Sequence, residues 1–183
     1  MEKIYVFLAD GFEEIEGLTV VDVMRRAKLD VDTVAVCGKR AVTGSHGIVV
    51  QADLLFEEIR PQDCVMYVLP GGGVGTQNLA AHAGLASLLK NEASNGKRLA
   101  AICAAPSVLG GLGLLEGHTA VCYPGFEEKL TGAQVTTQRV EVSGNITTSR
   151  GMGTSLPFAL ALVAQLKGEE EAERIAESII WRI

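Results

Sequence analysis

An apolar run that stops at a cysteine and is followed by a proline constrains the fold of this chain more than any other feature. Residues 98–109 read RLAAICAAPSVL. The first half is typical of a buried parallel strand that is covered on both faces. Pro106 favours the first turn of a helix, where its missing N–H costs nothing. Small residues around Cys103 would permit a sharp turn between the two, so the pattern predicts a nucleophile elbow that carries sulfur.

Two interpretations of Cys103 follow from this local pattern. The free N–H groups and positive dipole end of the next helix would favour a thiolate and could also bind an oxyanion. Cys103 would then be a catalytic or redox-active residue. The alternative is a small buried apolar side chain, because free cysteine is among the most often buried residue types. The local sequence leaves both interpretations open.

Composition and charge exclude several classes of protein. The chain has 183 residues, 48% of them hydrophobic, so one domain over residues 1–183 with a large core is expected. A net charge of −6 argues against a nucleic-acid partner. No apolar run reaches the roughly 18 residues of a membrane span, and no signal peptide is expected. The scattered cysteines lack a C-x-x-C pair and a histidine at ligand spacing, so no metal is expected and reduced thiols suit a cytoplasmic protein.

Strand-like and helical patterns alternate along the chain. Strands are predicted at residues 3–8, 31–36, 64–69, 119–122, 134–142 and 145–149, besides the one that ends at Cys103. Helices are predicted from Glu13 onward and at residues 85–91, 106–115, 154–166 and 169–180. Short β-branched runs around Gly44 and Gly47 indicate a small hairpin or an excursion at the sheet edge within residues 39–51. This alternation predicts an α/β fold with a mostly parallel sheet and helices on both faces.

Three segments end predicted strands and are therefore expected to meet. In parallel sheets, ligands bind outside the carboxyl ends of the strands. Residues 11–16, residues 70–75 and the turn at Cys103 all occupy that position. The glycines of residues 70–75 could bring backbone N–H groups close to a ligand opposite the cysteine, although a tight turn is the simpler interpretation. A phosphate loop is disfavoured, because the glycine spacing fails and no Lys-Ser or Lys-Thr pair follows.

The first predicted helix opens with three glutamates. Helical spacing places Glu13 and Glu16 on one face and turns Glu14 away from Glu16. All three could simply be solvated acids at a helix N-terminus. A carboxyl turned inward beside a thiolate would instead keep its proton, since burial disfavours the charged form. Such a group could donate a hydrogen bond to sulfur and act as a proton shuttle.

The three histidines give no sign of a catalytic base. His46, His82 and His118 have no partner at triad spacing, and each is interpreted as a surface residue. A Cys-His protease would need a histidine near the sulfur, but residue 104 is Ala. The sequence thus predicts no Cys-His arrangement.

Six segments together resemble the ThiJ/PfpI superfamily, on its Parkinson-disease-associated, YajL-like branch. In chain order they are LADGFEEIE at 8–16, VDVMRR at 21–26, LPGG at 69–72, QNL at 77–79, AICAAP at 101–106 and TSRGMGT at 148–154. They span nearly the whole chain in the order typical of that family. The resemblance implies a flavodoxin-like α/β sandwich of the class I glutamine amidotransferase-like type, which is usually a homodimer.

The resemblance also implies roles for particular residues. Cys103 would be the nucleophilic and oxidisable cysteine, and Glu16 its protonated partner. The backbone N–H groups of Gly72 and Ala104 would form the oxyanion hole. No metal ion and no cofactor would be required.

Further residues are implied to contact the substrate, and two positions depart from the family's pattern. The resemblance implies that Gly71, Tyr123 and Arg150 contact the substrate. Tyr123 stands where several relatives carry histidine, which removes one candidate base. Ala104 stands where the protease-like branch carries histidine, so peptidase activity is not expected.

Two functions from different classes are consistent with the resemblance. The first is a cofactor-free glyoxalase or deglycase that acts on α-oxoaldehydes such as methylglyoxal, or on their adducts, in carbonyl and oxidative stress. The second is a redox-sensing protective protein or chaperone in which oxidation of Cys103 is the signal. A homodimer is expected to bury part of the first helix through the apolar stripe of Leu18, Val21 and Met24. Cys103 is expected to be an acidic thiol.

Overall fold

The computed structural model of the protein describes residues 2–181. The strands are β1 Lys3–Leu8, β2 Asp30–Ala35, β3 Ala41–Thr43, β4 Val49–Gln51, β5 Leu54–Leu55, β6 Cys64–Leu69, β7 Arg98–Ile102, β8 Thr119–Ala120, β9 Gln134–Val135, β10 Val140–Ser143 and β11 Ile146–Ser149. The α-helices are α1 Glu14–Arg26, α2 Gly73–Ala81, α3 Ala83–Ser94, α4 Pro106–Gly111, α5 Ser155–Lys167 and α6 Glu169–Ser178. None of these helices is long and apolar enough to cross a membrane.

A central sheet of seven strands runs in the order β10-β11-β7-β6-β1-β2-β5. Every neighbouring pair in it is parallel except β10 with β11. The predicted hairpin is present as the antiparallel pair β3 and β4, which forms a small separate sheet. The carboxyl ends of β1, β6 and β7 lie side by side, so the loops that follow them share one edge of the sheet.

The side chains of β1 show why both faces of the sheet are covered by helices. Ile4, Val6 and Leu8 pack into one apolar cluster with residues of α1, α5 and α6. Tyr5 and Phe7 point the other way and pack into a second cluster with residues of α2, α3 and α4. Alternate residues of a strand face opposite sides, so a strand that is apolar throughout requires a helical layer on each side. The predicted mostly parallel α/β architecture is confirmed.

The structure corrects the prediction at two places rich in glycine. Residues 73–81 form α2, where the sequence predicted only a glycine loop. Gly73 and Gly75 lower helix propensity and interrupt the apolar spacing, so the pattern did not reveal this helix. Helix α4 ends at Gly111 instead of continuing to residue 115. Gly113 follows with φ of 74°, a left-handed conformation that terminates helices.

The predicted strand over residues 134–142 is also divided. Gln134–Val135 pairs with β8 in a small parallel sheet, whereas Val140–Ser143 pairs with β11 in the central sheet. The partner of Val140–Ser143 is the next strand along the chain, whereas the partner of Gln134–Val135 lies on the amino-terminal side of the predicted strand. The strand is divided because its two ends pair in different sheets.

The apolar stripe of α1 faces the interior rather than a partner. Met24 is fully buried and Val21 is 7% exposed, both within the cluster that includes α5. The prediction that these two side chains form a dimer contact is therefore wrong. The exposed apolar side chains near them are Ile15 and Ile48, at about half exposure, and Ile15, Ile48 and Leu18 line a shallow groove.

Candidate active site

Cys103 occupies a sharp turn between β7 and α4, as the sequence predicted. Its φ is 66°, in the left-handed region that side chains rarely adopt. Such a conformation costs about 1–3 kcal/mol and persists only where the surroundings hold it. Here the Cys103 N–H donates to the Ser149 carbonyl at 3.0 Å, and the Cys103 carbonyl accepts from the Tyr123 N–H at 2.7 Å. The elbow is thus fixed from two sides, and its half-buried sulfur reaches the sheet edge.

Glu16 on α1 lies beside the cysteine. It is 1% exposed, its Oε2 accepts a hydrogen bond from the Gly71 N–H at 2.9 Å, and its carboxyl group hydrogen-bonds the Cys103 side chain. Burial raises the pKa of Glu16 to about 7, against the effect of these two hydrogen bonds. The carboxyl group can therefore hold or release a proton near neutral pH, as a proton shuttle requires.

The thiol of Cys103 competes with Glu16 for a proton. Burial, followed by the negative charge of Glu16, raises the pKa of Cys103 to about 12. Hydrogen bonds from the Gly72 and Ala104 N–H groups to the sulfur oppose this increase. The expectation of an acidic thiol stays a prediction for this coupled pair, in which burial and the neighbouring carboxylate oppose two N–H donors. A thiolate forms here together with a protonated Glu16, whose O–H then replaces charge repulsion with a hydrogen bond.

The three predicted loops meet at this point. The Glu13 N–H donates to the Gly71 carbonyl at 3.0 Å, and the Gly75 N–H donates to the Gly11 carbonyl at 3.0 Å. Gly72 has φ of 92° and leaves no room for a Cβ against Gly11. Glycine is required here because two backbone segments lie in direct contact beside the cysteine. The glycine loop therefore positions N–H groups at the sulfur and is more than a chain reversal.

A cavity of about 700 Å³ opens above the sulfur. The predicted residues that line it are Cys103, Glu16, Gly72, Ala104, Tyr123 and Arg150. Tyr123 is 51% exposed and presents its ring to this space. Gly71, which was predicted to contact the substrate, is not among the residues that line the cavity. It is buried, and both its N–H and its carbonyl group are hydrogen-bonded within the protein.

Glu14 and His46 form a pair that the sequence analysis missed. Glu14 is 4% exposed, its Oε1 accepts from the His46 N–H at 2.7 Å, and its Oε2 lies 2.9 Å from Nδ1 of His46. The Ser45 hydroxyl also donates to Oε2, at 3.1 Å. Burial opposes ionisation of Glu14, but the bonds from His46 and Ser45 prevail and lower its pKa to about 2. Glu14 is consequently a buried carboxylate, and the interpretation of the glutamates as solvated acids is wrong for Glu14 and Glu16.

His46 lies at the rim of the cavity that holds Cys103. It belongs to the turn between β3 and β4, and its side chain is 69% exposed. The other two histidines have structural partners: His82 accepts the Leu85 N–H at the start of α3, and His118 contacts Ser143. No signal in the sequence joins His46 to Glu14, because the contact depends on how the hairpin folds over α1.

One group among residues 2–181 has donor atoms close enough to bind a metal ion. Carboxylate oxygens of Glu13 and Glu14 and a ring nitrogen of His46 lie within 4.8 Å of one another. Glu14 and Nδ1 of His46 already satisfy each other with hydrogen bonds. These polar groups therefore need no ion to be stable.

Fold and site together define a flavodoxin-like α/β protein with a cysteine at a nucleophile elbow. The chain belongs to the DJ-1/PfpI family, whose sequence model matches residues 2–165. It is 38% identical to Protein DJ-1 homolog B of Arabidopsis thaliana over 99% of this chain and 42% of that protein. It is 36% identical to the Parkinson disease protein 7 homolog of Danio rerio, over 99% of this chain and 98% of that protein. The chain thus spans less than half of the plant relative, and the family resemblance is confirmed.

Two further matches bear on structure and activity. A solved structure of Toxoplasma gondii DJ-1, in an oxidized form, superimposes with a TM-score of 0.93 at 34% identity, over the whole of both chains. A deglycase of Pyrococcus abyssi is 30% identical over 90% of this chain and 99% of that protein. The flavodoxin-like fold is confirmed by the structural match, and the family includes enzymes.

Proposed function

We propose that the protein is a cysteine-dependent, cofactor-free enzyme that converts α-oxoaldehydes such as methylglyoxal, or their adducts on amines and thiols, into hydroxy acids. The observation that carries this proposal is the arrangement at one cavity of the Cys103 sulfur, the Glu16 carboxyl group and two backbone N–H groups. The deglycase of Pyrococcus abyssi supports the substrate class. Tyr123 and Arg150 line the same cavity and would contact the substrate.

The chemistry needs a nucleophile and a group that moves one proton between two carbons. The Cys103 sulfur bonds to the aldehyde carbon while the aldehyde oxygen takes the proton of Glu16, which gives a hemithioacetal. The Glu16 carboxylate then removes the hydrogen on that carbon as a proton, and the electrons left behind form the double bond of an enediolate. Return of the proton to the neighbouring carbon, together with transfer of the hydroxyl proton to the neighbouring oxygen, gives a hydroxyacyl thioester. Water cleaves this thioester into hydroxy acid and free thiol, so water is the only reagent consumed.

The backbone N–H groups of Gly72 and Ala104 suit the charge that develops in these steps. They already contact the sulfur, and an oxygen on the attached carbon would lie within the same region. N–H groups fixed by the fold stabilise such an oxygen without reorganisation during the reaction. We propose them as the oxyanion hole.

The setting of this activity is also part of the proposal. All four cysteines are free, which suits a reducing compartment such as the cytoplasm. A homodimer would cover the groove lined by Ile15, Leu18 and Ile48. Detoxification of reactive carbonyls during oxidative stress fits an enzyme that needs only water.

The deciding experiment is lactate formation from methylglyoxal by protein treated with a chelator and free of glutathione. Wild-type protein should form lactate, and Cys103→Ser should not. Cys37→Ser is the matched control, since Cys37 lies outside the cavity and bonds only the Lys39 carbonyl. Activity that survives in Cys103→Ser, or wild-type protein that forms no lactate, would overturn the proposal.

A redox-sensing role is the second candidate, and one observation favours it. Cys103 is half-buried beside N–H donors and an acid, which could hold the oxygens of a sulfinate as well as a substrate oxygen. The related Toxoplasma gondii protein has been solved in an oxidized form. Mild peroxide should then add two oxygen atoms to Cys103 before any other cysteine, and protective activity should appear only after that change. Protective activity that is equal with and without peroxide would contradict this role.

A further inference from the structure

We propose that His46, oriented by Glu14, is a catalytic acid and base that moves a proton between the two oxygens of the substrate. This inference rests on the proposed function and adds a residue to it. Glu16 transfers a proton between two carbons, but the same rearrangement also requires a proton to leave one oxygen and another to reach its neighbour. Cys103, Glu16 and the backbone N–H groups of Gly72 and Ala104 do not provide a group for that second transfer.

His46 lines the cavity that also holds Cys103 and Glu16, in which the proposed reaction takes place. Nδ1 lies 2.9 Å from Oε2 of Glu14, and the His46 backbone N–H is bonded to Oε1 of the same carboxylate. A buried carboxylate on Nδ1 fixes the tautomer and orientation of an imidazole and leaves Nε2 for the substrate. Within residues 2–181, Nε2 of His46 has no hydrogen-bond partner.

The surroundings also favour the protonated ring, which is the state required to begin the transfer. The hydrogen bond to Glu14, together with the charges of Glu13 and Glu14, raises the pKa of His46. The titratable or charged groups that face His46 are Glu13 and Glu14 on α1 and, elsewhere on the cavity wall, Glu16, Cys103, Tyr123 and Arg150. Two carboxylates in direct reach favour the imidazolium.

The step balances in atoms and charge. The Glu16 carboxylate takes the proton from the hemithioacetal carbon, and the electrons left behind form the double bond of the enediol. The ketone oxygen becomes a hydroxyl group with the proton of the His46 imidazolium. Glu16 then gives its proton to the former ketone carbon, while neutral His46 takes the proton of the other hydroxyl group. The thioester is formed, and both residues return to their starting states.

The first test compares turnover of methylglyoxal by His46→Gln and wild-type protein. Loss of a general acid–base should lower kcat by roughly two to four orders of magnitude with little change in KM. His118→Gln is the matched control, because His118 contacts Ser143 outside the cavity and its loss should leave kcat unchanged. Added imidazole should restore part of the activity of His46→Ala.

The second test is the pH profile. Activity that needs the imidazolium falls as pH rises through the pKa of His46, and the protonated Glu16 of the first step adds its own fall near pH 7. Wild-type protein should therefore show an alkaline limb from each group, and His46→Gln should lack the limb that belongs to His46. In Glu14→Gln this limb should move to lower pH, because the partner that raises the pKa of His46 has lost its charge. A kcat for His46→Gln within about twofold of wild type, or an unchanged alkaline limb, would overturn this inference alone. Wild-type protein that makes no lactate would overturn the proposed function and this inference together.

Discussion

A methyl group added to Gly71 would stand 2.6 Å from the Cβ of Cys103. The same added atom would lie 2.6 Å from Oε2 of Glu16. The absent side chain of Gly71 is therefore what allows the nucleophile and its acid to lie in contact. The backbone N–H of this residue also donates to Glu16, so one glycine both leaves room for the pair and orients the acid.

Gly71→Ala should consequently damage activity more than stability. The new Cβ must displace the Glu16 carboxyl group or the elbow, and misplacement of a proton-transfer group by about 1 Å costs on the order of 100-fold in rate. Overpacking should lower the free energy of unfolding by about 1–3 kcal/mol. Methylglyoxal turnover and thermal melting would measure both effects. Gly111→Ala is the control, since a Cβ there meets nothing within 4 Å, and equal turnover by the two variants would contradict this account.

Glu16→Gln should fold and lose most of its activity. Glutamine still donates a hydrogen bond to sulfur but cannot carry a proton between carbons, so turnover should fall by roughly two to four orders of magnitude. Glu13 lines the same cavity, and Glu13→Gln should lower turnover much less. Near-normal turnover by Glu16→Gln would remove Glu16 from the mechanism.

The buried carboxyl group of Glu16 should also make stability depend on pH. Its pKa is raised from 4.5 to about 7, so the folded protein binds more protons than the unfolded chain between these values. The free energy of unfolding should therefore fall as pH rises through this window, by roughly 3 kcal/mol from this group alone. Glu16→Gln should lack this decrease and become the more stable protein above pH 7. Denaturant unfolding of both proteins at several pH values measures the difference, and parallel curves would contradict it.

The reactivity of Cys103 should increase when Glu16 loses its charge. After burial, that charge is the largest cause of the raised pKa of Cys103, so Glu16→Gln should lower the pKa of the thiol. The pH dependence of iodoacetamide labelling at Cys103 provides the measurement. Cys64 and Cys122, whose pKa values burial raises to about 11, serve as internal references. A labelling profile at Cys103 that is identical in both proteins would show that Glu16 does not control the thiol.

Glu14 should stabilise the protein at moderate pH and lose this effect in acid. Its pKa is lowered from 4.5 to about 2, so its contribution is complete above 4.5 and disappears as pH falls through 2. Glu14→Gln should be less stable than wild type at pH 7, and the difference should shrink in acid. Urea unfolding at both ends of this range tests the sign, and a constant difference would contradict it.

Elements whose positions follow from short-range sequence patterns were predicted well. The run that ends at Cys103 determined both a buried strand and a sharp turn, because apolar length, small residues and Pro106 act within a few positions of one another. Likewise, the alternation of strands and helices was sufficient to predict the parallel sheet. The carboxyl ends of neighbouring parallel strands then had to lie at one edge of that sheet. Glu16 could be selected as a candidate on helical spacing and family resemblance.

Features that depend on contacts between residues far apart in the sequence could not be predicted from local patterns. Helix α2 is stabilised by packing of Leu79 in the core, although its glycines give a weak local signal. His46 and Glu14 are 32 positions apart and meet only because the hairpin of β3 and β4 folds over α1.

The sequence by itself therefore determined the class of fold and the position of the nucleophile, since both follow from local patterns of apolar and small residues. Only the tertiary structure decided which acid holds a proton. Glu14 and Glu16 are chemically identical and two residues apart, yet the pKa of one is lowered to about 2 and that of the other is raised to about 7. The reason is that protonation depends on burial and on hydrogen-bond partners, and distant segments of the chain supply both.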